Sequence, residues 1–340
     1  MRKGEQGVVL LGHGSGGALT HRLIEEVFQG AFGNPILNEM LDSAVFDLPP
    51  GRVALTTDSF VVDPIFFPGG DIGKLAVCGT VNDLVVSGAK PLYLSAGFII
   101  EEGFPLSDLQ KVVSSMREAA SQAGVSIVTG DTKVVGRGGA DKLFINTTGV
   151  GVIPEGVCLS PRRIQVGDVI LVSGPIGEHG LAILAQREGL AFTSPVYSDC
   201  FPLHRLAAAV LEAGGDGVRC MRDPTRGGLA TTLNELASQS EKSFLVEEEL
   251  IPVRREVAGA CEMLGIEPLY LACEGRIVAV VAPEVSEHVV AAMRSLPEGE
   301  GAVEIGRVVT GEPGLVLMET ELGATRILTM LEGEPLPRIC

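Results

Sequence analysis

Four aspartates in the first half of the chain have the spacing of a cation site. Asp58 ends "LTTD", Asp71 opens "DIGK", Asp83 interrupts "GTVNDLVVSGA" and Asp131 follows "VTG". Asn82 and Asp83 are flanked by Val77, Val81, Leu84, Val85 and Val86, which leave a helix there little solvent face. A buried carboxylate costs several kcal/mol unless a cation or a proton meets it, so Asp83 reads as a metal ligand. Singly, Asp71 is a helix N-cap, and Asp58 and Asp131 are turn formers. Together, hard oxygen ligands without thiolates, at strand C-termini and helix N-termini, suit Mg²⁺ carrying nucleotide phosphates.

Other residues could complete such a site. "GHGSGG" and "FPGGDIGK", with Gly69, Gly70 and Lys74, are glycine-rich turns whose N–H groups could line phosphates, though neither has P-loop spacing. Thr132 and Lys133 follow Asp131, and Arg226 lies in "RDPTRGGL"; the two cations could offset phosphoryl charge or be ordinary surface charges. His179 and Glu274 fall at turns, in "GEHG" and "ACEGR", where a histidine is more often solvated.

Positive charge has to be local, because the 340 residues carry a net charge of −17, which repels nucleic acid and anionic membrane. Aromatic residues make up 4% of the chain and there is no Trp, which disfavours a base-stacking surface. Among seven cysteines there is no C-x-x-C pair; six sit among apolar or small neighbours and read as packing, and Cys340 is the exception. With no secretory leader and no apolar run long enough to span a membrane, the protein is expected in the cytoplasm.

The elements that must hold these groups alternate. Strands are expected over 52–58, 91–99, 125–131 and 142–153, with helices over 72–89 and 106–124. After the turn-rich stretch 154–168 come a strand at 168–174, helices near 179–189, 202–213, 226–239 and 255–264, a strand at 276–282, a helix near 285–295 and three short strands. This is an α/β (α+β) chain of two domains, 1–155 and 156–331, followed by a Pro-containing arm, 332–340.

"LGHGSGG", the long string from "TTDSFVVDP" to "VSGA", "TGDTKVV", "MRDPTRGGL", "ACEGR" and the final "PRIC" together resemble the HypE hydrogenase maturation factors of the PurM-like ATP-dependent superfamily, from about residue 8 to Cys340. The resemblance implies a homodimer paired through its N-terminal sheets, with ATP and Mg²⁺ near the dimer seam. It implies that Asp58, Asp83 and Asp131 hold metal, and that Gly69, Gly70, Asp71, Lys74, Asn82, Thr132 and Arg226 hold nucleotide. It also implies that Lys133 and Glu274 act on the reacting group, and that Cys340 carries a carbamoyl group received from the carbamoyltransferase HypF. The product, a cyanide group, would pass to the iron-bearing HypC–HypD complex. An extended arm from Glu332 to Cys340 could span on the order of 30 Å between such stations. The family commonly reads Gly-Asp-His-Gly where this chain has Gly177, Glu178, His179 and Gly180, so Glu178 is given no metal role. Competing readings are another ATP-dependent member of the superfamily or a non-catalytic nucleotide-binding scaffold.

Overall fold

The computed structural model describes residues 7–190 and 195–330. The first half holds α1 (Ala18–Leu23), a π-helical stretch over Ile24–Gln29 and α2 (Gly30–Phe32). These are followed by β1 (Arg52–Phe60), β2 (Phe66–Phe67), β3 (Gly70–Asp71), α3 (Ile72–Val86), β4 (Lys90–Glu101), α4 (Leu106–Ala123), β5 (Ser126–Val135) and β6 (Leu143–Ile153). The second half runs β7 (Val169–Val172), α5 (Glu178–Arg187), α6 (His204–Gly214), β8 (Val218–Arg222), α7 (Gly228–Ser240), β9 (Ser243–Glu247) and α8 (Arg255–Leu264). It closes with β10 (Val278–Val281), α9 (Ser286–Arg294), β11 (Val303–Val309), β12 (Val316–Glu319) and β13 (Thr325–Ile327).

The first sheet has the order β1-β6-β4-β5, antiparallel except for the parallel β4–β5 pair. Alternation along β1 turns Thr56, Asp58 and Phe60 toward α3, while Val53 and Leu55 stand 57% and 69% exposed on the other face. α4 shows the expected helical period, burying Leu109, Val112, Val113, Met116 and Ala120 and stopping at Gly124, whose φ of 69° suits glycine. α3 shows no such stripe because every side of it is covered. It packs on β1 and β6, on α4, and on α6 and β8 of the second half.

The second sheet has the order β13-β12-β9-β11-β7-β10-β8. Its central strands read as continuous apolar runs because helices cover both faces. Val169 and Leu171 of β7 join the core beneath α6 and α9, whereas Ile170 and Val172 join the one beneath α7. The architecture is thus mixed α/β in two domains. The strands β8 and β9 have no counterpart in the sequence periodicity, each being only five residues and β8 carrying two arginines. Among the described residues, no helix is long and apolar enough to cross a membrane.

Candidate active site

The two domains meet where α3, the end of β1, the turn from β8 to α7 and the loop before β10 converge. There Asp58, Asp83, Asp223 and Glu274 surround a cavity of about 170 Å³, together with Thr225 and Arg226. Asp83 Oδ2 accepts a hydrogen bond of 2.7 Å from Thr56 Oγ1. Burial, then the charge of Asp83, pushes the Asp58 carboxyl up to about 6 against the opposing pull of Arg226. The same two causes push Asp223 up to about 7. Glu274 is held well above the ordinary carboxylate range by burial and by Asp223, Asp199 and Asp58. Four acids in one partly desolvated space repel one another, and the cavity stabilises whatever positive charge enters it.

Among the described residues, no three acids, imidazoles or thiols are grouped closely enough to ligate one ion. The cavity's donors are hard carboxylate and hydroxyl oxygens, the type that Mg²⁺ takes alongside water and phosphate oxygens. Asp223 was not among the residues singled out by sequence, although "RDPTRGGL" contains it; its place at the end of a strand was hidden because β8 itself has no periodic signal.

The remaining sequence-derived residues are dispersed. Asp71 caps α3, its Oδ1 accepting from Gly73 N at 2.7 Å, Lys74 N at 3.1 Å and Ser115 Oγ at 2.5 Å. One of its two carboxylate oxygens is thereby committed to the helix end. Lys74 Nζ donates to Gly69 O at 2.9 Å, and a Cβ at Gly69 would meet the Ser198 backbone at 2.7 Å, so this glycine turn is packed on the second domain. Gly70 lies beside the Phe67 ring and the Lys74 side chain. Asp131 sits on β5, in register through Gly97 and Asn146 with Ser59 of β1. That is three strand spacings, roughly 14 Å, from the Asp58 edge. Lys133 Nζ pairs with Asp131 Oδ2 at 3.2 Å, both side chains about two-thirds exposed. Asp131 and Thr132 line a separate cavity of about 190 Å³ with Ile24, Phe28 and Phe98. Within one chain, Asp131, Thr132 and Lys133 therefore do not join the four-acid cavity, contrary to the grouping expected from sequence. Cys340 lies outside the described residues.

Asn82 is placed differently from its expected nucleotide role. It is buried, and its Nδ2 donates to Phe201 O and Glu274 O, both at 3.1 Å, while its Oδ1 accepts from Leu203 N at 2.8 Å. It thus fastens α3 to the strap 198–203 and to the backbone of Glu274. Replacing Asn82 by leucine leaves Phe201 O and Leu203 N without this partner, at about 1–3 kcal/mol each, while Glu274 O keeps Phe201 N. Urea unfolding is expected to show a loss of about 2–4 kcal/mol; an unchanged midpoint would remove the clamp.

His179, expected at a solvated turn, is instead fully buried in the first turn of α5. Its Nδ1 lies 2.7 Å from Ser198 Oγ and its ring meets the edge of Phe67 at 5.5 Å. Glu178 is buried too, pairing with Arg276 at 2.5 Å and Arg254 at 2.6 Å, and so has no part in the acidic cavity. Five cysteines are buried as expected, but Cys158 is exposed.

Two mixed α/β domains clasped over an acidic cavity define the class of the AIR synthase related proteins. The N-terminal domain model of that family matches residues 40–153, and the C-terminal domain model matches residues 165–317. Carbamoyl dehydratase HypE of Bradyrhizobium diazoefficiens is 54% identical over 334 residues, 98% of this chain and 96% of its own. The crystal structure of a hydrogenase maturation protein HypE in complex with ATP aligns with a TM-score of 0.94 at 52% identity, covering 97% of this chain and 99% of that one. A HypE–HypF complex structure aligns at 0.80 and 48% identity, covering 91% and 99%. The chain belongs to the AIR synthase related family, in its HypE branch.

Proposed function

We propose that this chain removes water from a carbamoyl group carried on Cys340, converting Cys–S–C(=O)–NH₂ into Cys–S–C≡N while ATP becomes ADP and phosphate. The observation that carries the reading is the partly desolvated four-acid cavity, built by both domains, in a chain half identical to carbamoyl dehydratases. Oxide is a very poor leaving group; once the carboxamide oxygen is phosphorylated, it departs within phosphate and a base takes the nitrogen protons. Mg²⁺, when bound, offsets the charge of the triphosphate as the γ-phosphoryl group moves. Asp58, Asp83 and Asp223 supply the anionic wall that would hold it, and Arg226 faces them. Burial and the neighbouring acids raise the Glu274 carboxyl, and Mg²⁺ held beside Asp58 and Asp223 would oppose that repulsion and favour the carboxylate that accepts the proton.

Lys133 lies outside the four-acid cavity of its own chain, so its assignment to the carboxamide oxygen requires a second copy to bring it there. It stands on the edge strand of the open sheet, whose outer face exposes Val53, Leu55 and Ile99, and a homodimer formed through that face would cover these residues. HypF as the carbamoyl donor and HypC–HypD as the cyanide acceptor are the expected partners, in the cytoplasm. The domain boundary is placed at 155/156.

Intact-mass analysis of the full chain with carbamoyltransferase, carbamoyl phosphate and ATP tests the reaction. The expected result is addition of one carboxamide and then loss of one water; an adduct that never loses water refutes it. For the cation wall, Asp83→Asn is expected to weaken Mg-ATP binding about tenfold or more by calorimetry, about 1.4 kcal/mol. The free protein should melt no lower, because one of four mutually repelling acids is neutralised and Thr56 keeps an acceptor. Unchanged nucleotide affinity would count against the role of Asp83.

A further inference from the structure

The strap 198–203 fixes the main chain of Glu274 from both sides. Glu274 N–H donates to Asp199 Oδ1 at 3.1 Å, and Glu274 C=O accepts from Asn82 Nδ2 at 3.1 Å and Phe201 N at 3.4 Å. The Asp199 side chain is 1% exposed, and its Oδ2 has no hydrogen-bond partner but faces Arg276 Nε at 3.6 Å. Arg276 is itself locked, donating from Nε to Pro175 O at 2.7 Å, from Nη1 to Gly275 O at 3.0 Å and from Nη2 to Glu178 Oε2 at 2.5 Å. Arg254 closes the chain on Glu178. A Cβ on Gly275 would overlap Asp199 O, so the strap and the 274–276 turn are in direct backbone contact. Two carboxylates and two guanidinium groups oppose one another along this chain of contacts, which sets the Asp199 carboxyl against Arg276.

From this geometry we infer that Asp199, held by Arg276 and Glu178, is a positioning residue for Glu274: it fixes the amide of residue 274 and thereby the aim of the carboxyl into the cavity. This rests on the reading of Glu274 as the proton acceptor. Glu178 spans both arginines and anchors the far end of the chain of charges. A general base must lie within hydrogen-bond reach of its proton, and a displacement of about 1 Å can cost on the order of 100-fold.

The test is single-turnover dehydration of full-length carbamoylated protein with ATP, followed by intact mass, alongside ATP affinity by calorimetry. Asp199→Ala is expected to slow water loss about 10- to 100-fold with ATP affinity within about twofold. Asp199→Asn, which keeps an acceptor for the amide, should return the rate to within about threefold of native. Adding Glu274→Gln to Asp199→Ala should slow the step little beyond Glu274→Gln alone, because both act on one proton transfer. Losses that multiply, or a native rate in Asp199→Ala, overturn the inference. If the alanine chain does not fold, Asp199→Ser, too short to reach the amide, replaces it with the same expectations. If Glu274→Gln alone dehydrates normally, the failure belongs to the base assignment and not to Asp199.

Discussion

Replacing Cys340 by alanine is expected to abolish carbamoyl loading while ATP affinity stays within about twofold of native. Only a thiolate that can reach solvent is a competent acceptor, which eliminates the buried thiols. Cys78, Cys200, Cys220, Cys261 and Cys273 are all at most 2% exposed. Burial pushes Cys220 up to about 12 and Cys261 up to about 11. Cys273 is raised by burial as well, and Cys200 first by its contact with Cys78 and then by burial. None of these four forms a thiolate readily at neutral pH. Cys158 is the described cysteine that is exposed, so it is the built-in control. Peptide mapping of the loaded native chain should find the carboxamide on the C-terminal peptide. An adduct on Cys158, or continued loading of Cys340→Ala, would overturn the carrier assignment.

The parts of the fold legible in the sequence were those where one physical signal dominates. The run around α3 announced a helix covered on all sides, and the structure supplies the cover from both domains. α4 was legible from its apolar stripe and its terminal glycine. β8 was not, since five residues with two arginines carry neither alternation nor an apolar run, and with it went Asp223, the acid that completes the cavity. Residue type does not show local partners: Asp71 Oδ1 caps a helix end, and the Asn82 amide meets three backbone groups across the domain seam. Such satisfaction depends on contacts from more than 100 residues away in the case of Asn82, which no local pattern encodes. The same holds for His179, whose contacts with Phe67 and Ser198 come from outside its own helix. The placement of Asp131 and Lys133 on the far edge strand follows from strand order, which alternation alone does not reveal.

Glu274→Gln is expected to load and to bind ATP normally but to slow dehydration by about 10²- to 10⁴-fold, the range for loss of a positioned general base. The substitution is close to isosteric and leaves the main-chain bonds of residue 274 to Asp199, Asn82 and Phe201 in place. It also replaces a carboxyl that burial and three neighbouring acids hold far above its ordinary range with a neutral amide. The free protein should therefore melt at the native temperature or higher, which separates a chemical defect from a folding one. The expected signature is accumulation of the carboxamide-bearing chain in the presence of ATP, seen by intact mass, with the water-loss species delayed. That pattern differs from Asp83→Asn, where the deficit appears first in nucleotide affinity and is relieved by raising Mg-ATP. A glutamine variant that yields thiocyanate at the native rate would remove Glu274 from the proton transfer and leave the acidic cavity as a nucleotide site alone.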